Sequence, residues 1–172
     1  MHFIQIRTEG FFGTAFAIQI NQQCHSATAK RGESMSITEP PKRIQAGFER
    51  HLGIQITHRE EGHVVVELPI TSELLNAGNL LHGGVIASLL DHVMGLTIRS
   101  QTEYSLVTVN LNIHYLASAK EGDLVVGTAK IRHIGKSLAT GEGEVRNSTG
   151  KLLAIASATF KLLSTNLNEV KK

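Results

Sequence analysis

The stretch from Gly83 to Ile98 constrains this chain most, because Asp91 and His92 are its only strongly polar side chains. A helix on a protein surface carries Lys, Glu or Gln along its outer face. Read as a helix from about Gly83 to Ser100, this stretch is apolar nearly all round, so other elements must wrap it. At about 100° per residue, Val85, Ile86, Leu89, Leu90, Val93, Met94, Leu96 and Thr97 fill one broad arc. The remaining stripe holds Gly84, Ala87, Ser88, Asp91 and Gly95, small residues around one carboxylate. Small side chains let a second backbone or a thin ligand come close. A carboxylate on a buried helix is costly unless it is solvated or hydrogen-bonded. Asp91 therefore either bonds a neighbouring element or belongs to a functional site, where such carboxylates concentrate.

The wrapping elements are legible as strands. Val64, Val66, Leu68 and Ile70 alternate with His63, Val65 and Glu67, the period of a half-buried strand. Four further strands are predicted over Leu106–Leu116, Leu124–Ile134, Leu138–Arg146 and Leu152–Leu163. Asn147-Ser148-Thr149-Gly150 and Gly135-Lys136 read as tight turns between them. A short helix over Ile44–Leu52 precedes all of these, giving the order α-β-α-β-β-β-β. Parallel neighbours need crossovers of about a dozen residues or more, so turns this short make the sheet largely antiparallel. The expected class is α+β.

Composition narrows the function. Lys plus Arg exceed Asp plus Glu by 17 − 15 = 2, and no basic run exceeds a pair. With aromatics at 5% and no Trp, the chain lacks the basic stripe and stacking platforms of a nucleic-acid binder. One cysteine, Cys24, allows neither an internal disulfide nor a cysteine-based zinc cluster, which favours a reducing, cytoplasmic setting. No apolar run reaches the roughly 20 residues of a membrane span. His58 and His63 are five apart, not the four of a helical zinc motif, so no metal site is expected.

Residues 1–34 lack the periodicity of the rest and read as an N-terminal extension, with the folded domain spanning 35–172. Met35 is the expected biological start. The competing reading is a targeting segment, apolar from Phe11 to Ile20 and ending at Ala27-Thr28-Ala29.

The long helix opens on His82-Gly83-Gly84. Glycines at a helix start leave unobstructed N–H groups at the positive end of the macrodipole, a suitable place for a developing oxyanion. Gly83 and Asp91 are eight residues apart, about 12 Å at roughly 1.5 Å per residue. One reacting carbonyl cannot touch both. Two antiparallel helices about a two-fold axis would set Gly83 of one chain beside Asp91 of the other, so a dimer with composite sites is expected.

The run Asn76-Ala77-Gly78-Asn79-Leu80-Leu81-His82-Gly83-Gly84, with Asp91 nine positions after His82, resembles the hotdog-fold acyl-CoA thioesterases. The branch is that of the phenylacetate-pathway enzymes and thioesterase superfamily member 2. Val107 to Leu116 resembles that family's third strand, and Arg132 to Ala139 its fourth-to-fifth strand turn. The similarity covers about residues 45–163.

The resemblance implies a long helix inside a curved antiparallel sheet, a homodimer, often a dimer of dimers, and hydrolysis of an acyl-CoA without cofactor. By position it makes Asp91 the general base or nucleophile and Gly83 the oxyanion donor from the neighbouring subunit. Asn76 would hold the carbonyl or the water, Thr108 would orient the water, and His82 would shape the loop. Strict alternation groups Thr108 with Asn110, Asn112 and His114, so it reaches the site only at a border with the partner. Gly84 would line the substrate channel. The turn Gly135-Lys136-Ser137, with Arg132 or His133, would take a CoA phosphate, although its residues read equally as a plain basic turn. Lys130 stands where a phosphate-loop pattern needs its first glycine. His92 points about 100° away from Asp91 and is expected to serve packing or an interface. The alternatives are a hotdog hydratase-dehydratase acting on thioesters and a non-catalytic acyl-CoA-binding protein.

Overall fold

The computed structural model describes residues 47–163. Readings on residues 1–34, and the first residues of the helix read from Ile44, lie outside that range. The elements are α1 (Gly47–Leu52), β1 (Gln55–Glu60), β2 (His63–Pro69), α2 (Gly83–Arg99), β3 (Ser105–Tyr115), β4 (Leu124–Ile134), β5 (Leu138–Asn147) and β6 (Leu152–Leu163). Among the described residues the strands form a single six-stranded sheet in the order β1-β2-β4-β5-β6-β3. Every neighbouring pair is antiparallel.

The expected order missed β1. Only Ile56 and His58 of that strand are even half-buried, so it carries no apolar alternation for a reader to find. It is the outermost strand on its side, paired with β2 through the Glu61-Gly62 turn, where Gly62 takes φ 73°. That left-handed geometry suits glycine, and the Gly62 N–H donates to Ser100 Oγ at 2.7 Å, tying the hairpin to the end of α2. The remaining strands and both anticipated turns stand where the sequence placed them. In the β5–β6 turn, Asn147 Oδ1 accepts from the N–H groups of Thr149 and Lys151. In the β4–β5 turn, Gly135 N–H donates to the Leu138 carbonyl.

Helix α2 lies on the inner face of the sheet, which supplies β2's Val64, Val66 and Leu68, all fully buried. From the helix, Leu89, Leu90, Val93 and Met94 are at most 1% exposed. Burial of each such side chain contributes about 1.5–3 kcal/mol. The helix can lie this close because the strands beneath it carry small residues. A Cβ on Gly127 would come within 3.4 Å of Leu89 Cγ, and one on Gly143 within 3.1 Å of Met94 Cγ. The partly open side of α2 is the small-residue stripe. Ala87, Ser88, Asp91 and Gly95 are half-buried and Gly84 is exposed. None of the helices among the described residues is long and apolar enough to cross a membrane.

Candidate active site

Strand β3 is the sheet edge nearest the open stripe of α2, and its register breaks once. Thr108 pairs with Phe160, and Asn110 with Thr159, which leaves Val109 as an extra residue in a β-bulge. Before the bulge, the helix-facing positions are Leu106 and Thr108. After it they are Leu111 and Ile113, opposite the buried Ala158 and Ala156. Strict alternation therefore misassigned Thr108. It shares the helix-facing side with Leu111 and Ile113, not the outer side with Asn110 and Asn112. Its Oγ1 donates a 2.7 Å hydrogen bond to Asp91 Oδ1. The contact orients the carboxylate and leaves Oδ2 free of protein partners among the described residues.

At the helix start, His82 is the N-cap, with backbone φ −64° and ψ 132°. Its Nδ1 accepts from the Gly84 N–H at 2.9 Å, so the neutral ring carries its proton on Nε2. The His82 carbonyl takes the N–H groups of Val85 and Ile86. Gly83 N–H is left as the first-turn donor without a protein partner among the described residues. The expectation that a helix-start N–H is available thus narrows to one group. Gly84's own N–H is spent on the cap.

Asn76 holds the preceding loop. Its Oδ1 accepts from Gly78 N–H at 2.8 Å and from Leu80 N–H at 3.2 Å, and Asn79 sits at φ 57° within the turn so formed. Only the amide NH₂ end of Asn76 remains for a ligand. Leu81 N–H reaches the Ala119 carbonyl, and His82 N–H the Leu74 carbonyl, anchoring both ends of the loop.

In the basic turn several of the groups considered for a CoA phosphate already have partners. Arg132 lies at a second bulge, between the pairs Ile131–Gly141 and His133–Thr140, and its guanidinium is engaged by the Glu142 carboxylate. Gly135 N–H is used within the hairpin, and the His133 ring lies against Gly135. Ser137 Oγ accepts from Lys161 Nζ at 2.6 Å, because the β5–β6 register sets Leu138 opposite Lys161. Lys161 went unnoticed in the sequence, where it stands 23 positions after Leu138. His58 and His63 face each other across the β1–β2 hairpin with ring centroids 5.0 Å apart. No cluster of three or more His, Cys, Asp or Glu stands together among the described residues.

Sequence reasoning also missed Glu49. It reaches from α1 to His92, with its Oε1 at 3.2 Å from Nδ1. A carboxylate can only accept, so the ring donates. The His92 side chain is 12% exposed, and burial holds it below the ordinary histidine range despite the opposing pull of Glu49 and Asp91. Glu49 Oε2 is buried without a hydrogen-bond partner among the described residues.

Residues 78–154 match the model of the Thioesterase superfamily. Acyl-coenzyme A thioesterase 13 of Homo sapiens is 38% identical over 111 residues, 62% of this chain and 79% of that protein. The 1,4-dihydroxy-2-naphthoyl-CoA hydrolase of Listeria monocytogenes is 35% identical over 116 residues, 66% of this chain and 94% of that protein. The chain belongs to the thioesterase superfamily. Its fold agrees with that of the PaaI protein from the phenylacetic acid degradation operon of E. coli, at a TM-score of 0.67 and 28% identity. That match covers 70% of this chain and 87% of the solved one. The helix-on-sheet architecture is therefore the hotdog fold, and the activity class of this thioesterase is thioester hydrolysis.

Proposed function

We propose that this thioesterase hydrolyses acyl-CoA to a free acid and CoA at composite sites, each shared between two protomers about a two-fold axis. The observation that carries the reading is the Thr108–Asp91 hydrogen bond on the open side of α2, at the unpaired edge of the sheet. A thioester has a good leaving group, so one base and one oxyanion donor suffice. Asp91, oriented through Oδ1 by Thr108, takes a proton from water through Oδ2. The hydroxide attacks the thioester carbonyl, whose oxygen is held by the N–H of the partner subunit's Gly83. Collapse of the tetrahedral intermediate expels the CoA thiolate. Asn76, through its NH₂ end, supports the carbonyl or the water.

A nucleophilic route, with a mixed anhydride on Asp91, uses the same geometry. Single-turnover hydrolysis in ¹⁸O water separates the two, because attack of water on the aspartyl carbonyl leaves label in Asp91.

The edge itself supports pairing of protomers. Val107, Val109, Tyr115 and Leu116 are exposed large hydrophobic residues on or beside β3, with Val109 60% exposed. An edge strand with exposed apolar side chains invites a second strand. A dimer of dimers follows the family's habit. Because Glu142 already neutralises Arg132, the phosphates of CoA would meet Lys136 and Lys161 at the β4–β5 turn, in the cytoplasm where CoA thioesters turn over.

Mixed dimers test the composite site. Gly83 is the first residue of α2, where the backbone tolerates proline, which removes the N–H and sets its ring in contact with Tyr115. His82 already has the extended backbone that a following proline requires. Thiol release from an acyl-CoA panel, with aryl and medium-chain thioesters first, is expected to fall about 10²–10³-fold in Gly83→Pro and in Asp91→Asn. Reassembling the two inactive chains together should restore about a quarter of wild-type activity, since half the dimers then hold one intact site. No recovery would place each site within one chain and sink this reading. Product formation without thiol release would instead point to a hydratase.

A further inference from the structure

We propose that Tyr115 is a positioning residue for the oxyanion donor, brought to the helix start by the same β-bulge that aims Thr108 at Asp91. The inference rests on the reading of Gly83 as that donor. Thr108 and Tyr115 are seven positions apart, so an unbroken strand would send their side chains to opposite faces. The extra residue at Val109 restores the parity. One strand then delivers two hydroxyls to the two ends of the α2 machinery, Thr108 Oγ1 to Asp91 and Tyr115 Oη to the Gly83 carbonyl at 3.1 Å.

Gly83 needs such a hold. Two consecutive glycines open the helix, and glycine restrains its backbone less than any other residue. The capping bonds on this turn come from His82, itself the residue before the helix. Among the described residues, Tyr115 is the one side chain from outside the helix that hydrogen-bonds its first residue. Its ring also packs on the Gly83 backbone, where an added Cβ would meet Cε1 at 3.4 Å. The backbone that carries the Tyr115 side chain, itself about half exposed, is held in place. Tyr115 pairs with Ala154, and the next two N–H groups, of Leu116 and Ala117, both donate to the Leu153 carbonyl. The Gly83 N–H shares its peptide plane with the His82 carbonyl, held by Val85 and Ile86. Tyr115 fixes the next plane at the Gly83 carbonyl and lays its ring against the residue, so both planes that meet at Gly83 are restrained. An oxyanion donor works only while it points at the developing charge, and a misplacement of about 1 Å costs roughly a hundredfold.

Tyr115→Phe keeps the ring and removes the hydroxyl. In the full-length chain kcat should fall about tenfold on the best acyl-CoA of the panel while KM stays within about twofold. Amide hydrogen exchange should accelerate in the segment Gly83–Ile86 and stay unchanged in the rest of α2. Unchanged exchange overturns the proposal. Faster exchange with an unchanged kcat reduces Tyr115 to a structural contact and overturns it equally. If the wild-type chain releases no thiol from any acyl-CoA, the reading of the site fails on its own. The exchange result then still decides whether Tyr115 holds Gly83.

Discussion

The two sides of α2 have opposite designs. The side facing β4 and β5 is closed: Leu90 and Met94 are completely buried over strand glycines that admit no Cβ without displacement. The side facing β3 is open, lined by Gly84, Ala87, Ser88 and Asp91, and its chief contact is one hydroxyl–carboxylate hydrogen bond. Packing of the first kind stabilises the fold but offers a substrate nothing. The second kind costs stability, because the helix forgoes apolar cover there, and leaves room for a ligand and a second protomer. Substitutions on the closed side should change stability and spare chemistry. Those on the open side should do the reverse.

The largest effect expected is on the open side. Asp91→Asn keeps the shape of the side chain and removes its basicity, so kcat/KM should fall about 10²–10³-fold, roughly 3–4 kcal/mol in the barrier. Its melting temperature should stay close to wild type. A large loss of melting temperature would show that Asp91 belongs to the structural side of the comparison. Next comes Leu90→Ala on the closed side. A cavity under α2 should cost about 2–5 kcal/mol in denaturant unfolding, with kcat per folded molecule nearly unchanged.

Thr108→Ala sharpens the contrast from the sheet edge. Losing the bond that orients Asp91 should lower kcat about 10–100-fold, with Thr108→Ser recovering most of it. Failure of the serine to rescue would mean that the methyl group's packing matters more than the hydroxyl.

The smallest effect belongs to the α1–α2 contact. Burial lowers the His92 pKa, so the unfolded chain binds a proton before the folded one does. His92 therefore costs stability as pH falls below the ordinary histidine value of about 6.5, an effect complete once pH passes the folded value. His92→Gln should flatten the fall in melting temperature over that window. An unaltered pH profile would show that the pull of Glu49 and Asp91 cancels the effect of burial on the ring.

Most residues of the candidate site could be singled out one at a time, while the contacts between them could not. Asp91 stood out because a single carboxylate interrupts a buried helix, and Gly83 because paired glycines start that helix. Thr108 was placed on the wrong face because a bulge has no sequence period: Val109 is as good a strand residue as its neighbours. β1 escaped because an edge strand with little burial needs no apolar alternation. Glu49, Lys161 and Tyr115 became relevant only through partners 43, 24 and 32 positions away in sequence.

The sequence by itself determined that a buried helix is wrapped by antiparallel strands, because hydrophobic periodicity is local and burial follows it. The antiparallel order of short turns followed too, because a chain cannot cross a sheet in four residues. The tertiary structure alone decided which hydroxyls meet Asp91 and Gly83. Those contacts depend on strand register, and one extra residue in a strand reverses every face beyond it.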